Sequence, residues 1–234
     1  MRMLPSSPTL SGNRLHLRRL RGRVGLALVA SLSFLAGMTD AIGFMATGDF
    51  VSFMSGNTTR LAVAISEGDL SMVLRLVAAV AAFIAGNVLG VVAGRIGGRR
   101  SLPLLLCIAT LLCVAAAMPF QTRVPALLTA IIAMGMLNAA VEQVNGLPIG
   151  LTYVTGALSR FGRGLGRRLL GEKRDGWRVQ LVPWSGMLLG AVCGAVLERQ
   201  LGVQALVVSA AIATVLGLLA LKIPHRWQKD FMPR

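Results

Sequence analysis

The chain has 234 residues, 55% hydrophobic, 14% charged and 5% aromatic, with a mean hydropathy of +0.70. Soluble domains carry about 25% charged residues, so this composition excludes a soluble enzyme and a soluble nucleic-acid binder. The net charge of +15 comes from Lys and Arg gathered between apolar runs, as in the cytoplasmic loops of membrane proteins, and nucleic acid is not an expected partner.

Residues 1–23 hold six arginines together with Pro5, Ser6, Ser7 and Pro8. This composition predicts a basic, disordered, cytoplasmic N-terminal segment. A basic stretch followed by an apolar one also opens a signal peptide. Here the apolar run from Val24 to about Phe44 is too long for one, and no A-x-A cleavage site follows. An uncleaved first span is expected.

Eight apolar segments succeed one another, at about 24–46, 50–65, 72–94, 102–120, 124–143, 147–159, 179–197 and 204–222. Six have the roughly 17–25 residues of a membrane-crossing helix. The second and sixth are short and interrupted, by Ser55-Gly56-Asn57-Thr58-Thr59 and Thr152-Tyr153-Val154-Thr155-Gly156. As helix, Leu147 to Ser159 would cover about 20 Å of a hydrocarbon core about 30 Å thick. Both read as broken segments whose free backbone groups find partners inside the protein. The stretch Arg160–Arg178, with seven positive residues, reads as a polar cytoplasmic loop that meets anionic lipid headgroups. Residues 223–234 read as a cytoplasmic tail.

The expected fold is an all-α polytopic membrane protein with about six full transmembrane helices plus two short broken segments, eight spans being the alternative. With six spans and a cytoplasmic N-terminus, and Arg75 set aside, Arg60, Arg123 and Arg199 fall outside against 20 basic residues inside. With eight spans, four fall outside against 19. Charge alone separates the two by one residue. The expected location is the bacterial inner membrane, with both termini cytoplasmic.

The transmembrane domain, 24–222, carries signs of an internal two-fold repeat with halves at about 24–120 and 124–222. A shift of 98 sets Gly37-Met38-Thr39-Asp40-Ala41 over Gly135-Met136-Leu137-Asn138-Ala139. A shift of 100 sets Ser55-Gly56 over Thr155-Gly156, and Gly86, Gly90 and Gly94 over Gly186, Gly190 and Gly194. Such duplications recur in transporters. Two fully crossing short segments would make the halves parallel; two re-entrant ones would make them inverted.

Several polar groups fall inside these segments. Asp40 lies in the first run, where an unpaired carboxylate is costly; it reads either as a proton or cation site or as a cap for the next piece of chain. Ser55, Gly56, Asn57, Thr58 and Arg60 could hold a cation through oxygens, bind an anion at a half-helix N-terminus, or form a polar surface loop. Arg60 could instead pair with Asp40. Asn138 and Glu142, four apart on a helix, share a face, and Asn138 aligns with Asp40. The stripes Gly86, Gly90, Gly94 and Gly186, Gly190, Gly194 suit close helix packing, with Asn87 bonding across helices; a homodimer packed on the stripes is one expected use of them. Cys107, Cys113 and Cys193 read as small buried hydrophobes. No nucleophile–histidine, metal-ligand or nucleotide-loop pattern is present, so no catalytic residue, metal or cofactor is expected.

The stretch Ala36-Gly37-Met38-Thr39-Asp40-Ala41-Ile42-Gly43-Phe44, followed by Phe50-Val51-Ser52-Phe53-Met54-Ser55-Gly56-Asn57-Thr58, resembles the YoaK family of small bacterial inner-membrane proteins, grouped as a domain of unknown function. The pattern G-x-x-D-A-x-G-F, a short gap, then F-x-x-x-[MT]-[TS]-G-N is met in order, and the likeness extends over about 24–222. Arg60 departs from it, standing where an apolar residue is expected. The resemblance implies a multi-span membrane protein and marks Asp40, Gly56 and Asn57, without assigning them a chemistry.

Two functions are expected from these features. The first is a small secondary transporter with a proton- or cation-linked site near Asp40 and a substrate site shaped by Asn57, Asn138 and Glu142. The second is a non-transporting assembly or docking protein that acts through the basic 160–178 loop.

Overall fold

Apolar runs of this length can bury their backbone polar groups in a bilayer only by forming helices, and helices dominate the structure. The computed structural model describes residues 12–119, 123–138, 140, 143–144, 147–148, 154–172 and 176–231. The elements are α1 (Gly12–Thr47), α2 (Met54–Glu67), α3 (Leu70–Ile96), α4 (Ser101–Ala117), α5 (Arg123–Asn138), α6 (Val154–Leu169), α7 (Leu181–Leu201), α8 (Leu206–Ala220) and α9 (His225–Phe231). A two-residue antiparallel pair, β1 (Gln143–Val144) with β2 (Leu147–Pro148), stands between α5 and α6. Single 3-10 turns at Trp177–Gln180 and Gly202–Ala205 lead into α7 and α8.

Among the described residues, α1 from Leu20, α3, and the stretch Trp177–Ala220 that contains α7 and α8 are long and apolar enough to cross a membrane. The helices α4 and α5 are shorter and apolar. This is an all-α membrane protein.

The pairing of the helices is exchanged along the chain: α1 packs chiefly on α7, α3 on α5, and α4 on α8. Contacts at the helix ends give each one a direction. At one end, Arg123 at the start of α5 reaches the Ala46 carbonyl of α1 at 3.4 Å, and Met118, Leu201 and Val203 line the same cavity as Met45. At the other, His225 bonds the Gly98 carbonyl at 2.8 Å and the Gln228 amide oxygen accepts from Ser101 N–H at 2.9 Å. There the Arg21 guanidinium lies over the Phe231 ring at 5.9 Å. Hence α1, α4 and α7 run toward the Arg123 end, and α3, α5 and α8 run away from it. The chain leaves α1 and begins α3 at that same end, so α2 dips into the bundle and returns.

The glycine stripes explain how the paired helices approach so closely. A Cβ at Gly190 would overlap the Phe34 carbonyl of α1, and one at Gly194 the Met38 carbonyl. On the other pair, Gly86 sits against the Ile132 carbonyl and Gly135 against that of Phe83. Within one protomer these glycines thus pack α7 on α1 and α3 on α5, while a Cβ at Gly94 would meet nothing within 4 Å. Asn87 likewise bonds its own helix, to the Phe83 carbonyl at 2.8 Å, rather than reaching across.

Three other expectations are revised, and the C-terminal tail gains a helix. The N-terminal segment, expected to be disordered through residue 23, is helical from Gly12 as a continuation of α1. The 160–178 loop is largely helix. Val154, Ala157, Leu158, Phe161, Leu165 and Leu169 recur at helical spacing, with Arg160, Arg163 and Arg167 opposite. Trp177 seats on Gly164 and its ring meets Phe161 at 5.1 Å, which ties the end of α6 to the start of α7 at the His225 end. Within the 223–234 tail, His225–Phe231 form α9, held by Gln228, whose Nε2 donates to the Ala220 and Ile223 carbonyls at 2.8 and 2.9 Å, with Phe231 buried. Cys107, Cys113 and Cys193 are free and exposed on the outer faces of α4 and α7, where lipid rather than protein would cover them.

The close contact at Gly190 predicts that Gly190→Ala lowers thermal stability in detergent by about 1–3 kcal/mol through overpacking. Gly94→Ala, whose Cβ meets nothing within 4 Å, should leave stability unchanged or raise it slightly. Equal melting shifts in the two variants would contradict this packing.

Candidate functional site

Where α1 ends, the chain must turn back into an apolar bundle without a helix to occupy its backbone N–H groups. Gly48 makes the turn with φ of +80°, and residues 48–53 run irregularly to the start of α2. Asp40, 7% exposed in the core, supplies the missing acceptor. Its Oδ1 accepts the backbone N–H groups of Val51 and Ser52, both at 2.7 Å. Asn57, fully buried on α2, closes on the loop from the other side. Its Oδ1 accepts from Phe50 N–H at 3.0 Å, and its Nδ2 donates to the Phe50 carbonyl at 2.7 Å.

The aromatic and glycine positions of the motif belong to the same device. Phe44 and Phe50 stack with centroids 4.6 Å apart, and Phe53 meets Phe50 edge-on at 5.3 Å. A Cβ at Gly56 would lie 2.6 Å from the Phe53 ring and 2.9 Å from that of Phe50, so glycine is what leaves room for the cluster. Asp40, Gly56 and Asn57 are thereby brought together as a clamp on residues 50–52.

Arg60 pairs with Asp49, not with Asp40. Asp49 is fully buried; Arg60 Nη2 lies 3.2 Å from one of its oxygens and Arg75 Nε 2.8 Å from the other, with each arginine side chain about one-third exposed. This triad fastens the loop to both α2 and α3. Neither Asp49 nor Arg75 stands out as a site residue in the sequence. The signal at Arg75 is present all the same: an arginine within an apolar helix requires a partner.

The remaining candidates are less engaged. Ser55 is exposed at the start of α2. Thr58 donates its hydroxyl to the Met54 carbonyl of its own helix at 2.8 Å. Asn138 ends α5 and donates to the Met134 carbonyl at 3.2 Å. Glu142 lies outside the described residues.

A cavity of about 300 Å³ adjoins the clamp. Its walls come from the first turn of α2 (Met54, Ser55), the first turn of α6 (Val154, Thr155) and Phe83, the central residue of α3. First-turn N–H groups have no partner within their own helix and carry partial positive charge. At α2 this charge is offset by the Asp40 carboxylate on the preceding residues.

The triad predicts that Arg75→Gln destabilises the protein by up to about 3 kcal/mol, because the buried Asp49 carboxylate is left with Arg60 alone. Adding Asp49→Asn should recover most of the loss. Simple additivity of the two changes in detergent melting curves would contradict the pairing.

Comparison with known proteins agrees with a membrane protein. Residues 28–219 match the family model described as "Protein of unknown function (DUF1275)". The chain is 51% identical to the UPF0700 transmembrane protein RA0705 of Rhizobium meliloti (strain 1021) over 226 residues, covering 96% of this chain and 98% of that protein. No solved structure matches. With a family match over most of its length, and a relative of nearly equal length at this identity, the chain belongs to the DUF1275 family of membrane proteins.

Proposed function

We propose that the protein is a small secondary transporter, or permease, of the bacterial inner membrane. The observation that carries this reading is that α2 and α6, entering from opposite ends, bring their first turns to one cavity level with the centre of α3. Discontinuous helices that meet at mid-depth between two inverted halves are how many secondary transporters build a substrate site. Exchanged pairing is what inverted copies of one unit would produce. Gly37 of α1 lies against Met187 of α7, and its aligned partner Gly135 lies against Asn87, which aligns with Met187.

In this reading α1, α3, α4, α5, α7 and α8 cross the membrane. The His225 end, with Arg95, Arg99, Arg100, Lys222 and Arg226, faces the cytoplasm by the positive-inside rule. Asp40 then links a proton or cation to movement through the loop it holds. A carboxylate accepts hydrogen bonds more strongly than a neutral carboxyl, so neutralising Asp40 weakens its grip on Val51 and Ser52 and lets the broken segment shift. Asp40→Asn should insert and melt nearly as the parent protein does. Proteoliposomes containing it should lose the substrate-elicited proton movement that a trapped pH dye reports when amino acids, carboxylates and inorganic cations are added in turn. Parent-like signals in Asp40→Asn would remove Asp40 from the mechanism; absence of any signal from the parent protein would count against transport.

A second reading concerns α6, and an observation favours it. Arg163, Arg167 and Arg168 are exposed, and Leu169 and Leu170 are 79% and 83% exposed beside them. A basic helix with an open apolar flank suits an interface with anionic lipid, and at the cytoplasmic leaflet each basic residue is worth about 1 kcal/mol. Impermeant thiol labelling of single cysteines at Asp69, Gly98, Arg123 and Arg167, in a background free of Cys107, Cys113 and Cys193, tests both readings. Labelling from outside is expected at 69 and 123 only; outside labelling at 98 and 167 would overturn the orientation and the lipid contact together.

A further inference from the structure

A larger cavity, of about 430 Å³, opens at the Arg123 end of the bundle, apart from the clamp and from the cavity beside it. That volume is in the range of small-molecule sites. Among the described residues, its two charged side chains come from different helix pairs. Arg123, the first residue of α5, belongs to the α3·α5 pair; Glu198, in the last turn of α7, belongs to the α1·α7 pair. Glu198 is half-buried, and its carboxylate makes no hydrogen bond or ion pair among the described residues. Arg123 counts the Ala46 carbonyl at 3.4 Å among its contacts, and its planar guanidinium is the group whose paired N–H donors match a carboxylate. Met45, Ala116, Met118 and Val203 supply the apolar part of the wall, beside polar surface of similar extent that includes Gln204.

We propose that this cavity binds a small zwitterion of the amino-acid type. Its carboxylate would be held by Arg123, its ammonium by Glu198, and its apolar side chain by the methionine-lined wall. The pattern discriminates by chemistry. An inorganic anion or cation meets one favourable charge and one repulsive charge. A ligand carrying both signs neutralises both groups while remaining neutral overall, so little uncompensated charge is taken from water. Because the charges stand on different helix pairs, one bound zwitterion would also bridge the two pairs. The proposal gives the transport reading a substrate class, and it rests on that reading only for the passage of the ligand once bound.

The test uses the full chain purified in detergent and three probes that share a branched hydrocarbon skeleton. L-leucine carries both charges, 4-methylpentanoate lacks the ammonium, and 3-methylbutylamine lacks the carboxylate. Calorimetric titration should show saturable binding of leucine, with each of the others at least about tenfold weaker, as the loss of one charge-assisted contact implies. Glu198→Gln should reduce leucine to the affinity of 4-methylpentanoate, and Arg123→Gln should reduce it to that of 3-methylbutylamine. Parent-like melting curves would establish that both variants fold; if one does not, Arg123→Lys or Glu198→Asp replaces it and should bind leucine with an intermediate affinity. Equal affinity for the three probes, parent-like leucine binding in both variants, or no saturable leucine binding would overturn the proposal. Uptake of labelled leucine into proteoliposomes separates this site from the transport reading. Binding without uptake retains the site and counts against transport, whereas uptake insensitive to both substitutions retains transport and overturns the site.

Discussion

Chain that unwinds inside an apolar bundle must find partners for every N–H and C=O it exposes, and much of this structure answers that requirement at residues 48–53. Asp40 takes the N–H groups of Val51 and Ser52, and Asn57 takes both backbone groups of Phe50. Without these bonds the segment would carry several unsatisfied groups at a cost of several kcal/mol each in hydrocarbon. The stacked phenylalanines pack on the bare face of Gly56 beside the same segment, and backbone bonds from Gly48 to the Phe44 carbonyl and from Met54 to the Ser52 carbonyl hold its two ends. The buried Asp49 triad then fixes the loop to α3. A polar motif in a membrane protein is readily taken for a ligand site; here its members first serve the backbone.

Once the loop is held, the first turn of α2 is fixed beside that of α6, and the exchanged helix pairs hold the frame around them. The glycine faces let α1 and α7 approach to backbone contact. In lipid such packing must come from shape and dispersion, since tails solvate apolar side chains as well as protein does. The cavity beside the clamp therefore has the fastened loop, through Ser52 and Phe53, as one wall and Phe83 of α3 as another.

Much of this was legible in the sequence, for physical reasons that differ by level. Membrane class follows from composition, because bilayer crossing demands long apolar runs. The spacing of Asp40, Gly56 and Asn57 marked the clamp, but not its purpose, since a carboxylate reads alike whether it waits for a cation or for two N–H groups. Asp49 was missed because its partners, Arg60 and Arg75, lie on two other elements and only the fold unites them. The helix α6 was misjudged because its apolar residues were weighed by run length, where their period of 3.6 carried the information. The glycine stripes were recognised as packing faces, but sequence does not say whether the partner helix is in the same chain.

The exchanged pairing also bears on how the protein is made. The principal partner of α1 is α7, which begins about 130 residues after α1 ends, an interval of roughly 7–25 s at ribosomal speeds of about 5–20 residues per second. Through that interval the face of α1 that will carry Gly190 and Gly194 has only lipid against it. Lipid tolerates the delay, because an apolar helix in a bilayer is not driven to bury itself as it would be in water. The chain can therefore be threaded in order and assembled out of order, with the last helices completing what the first began.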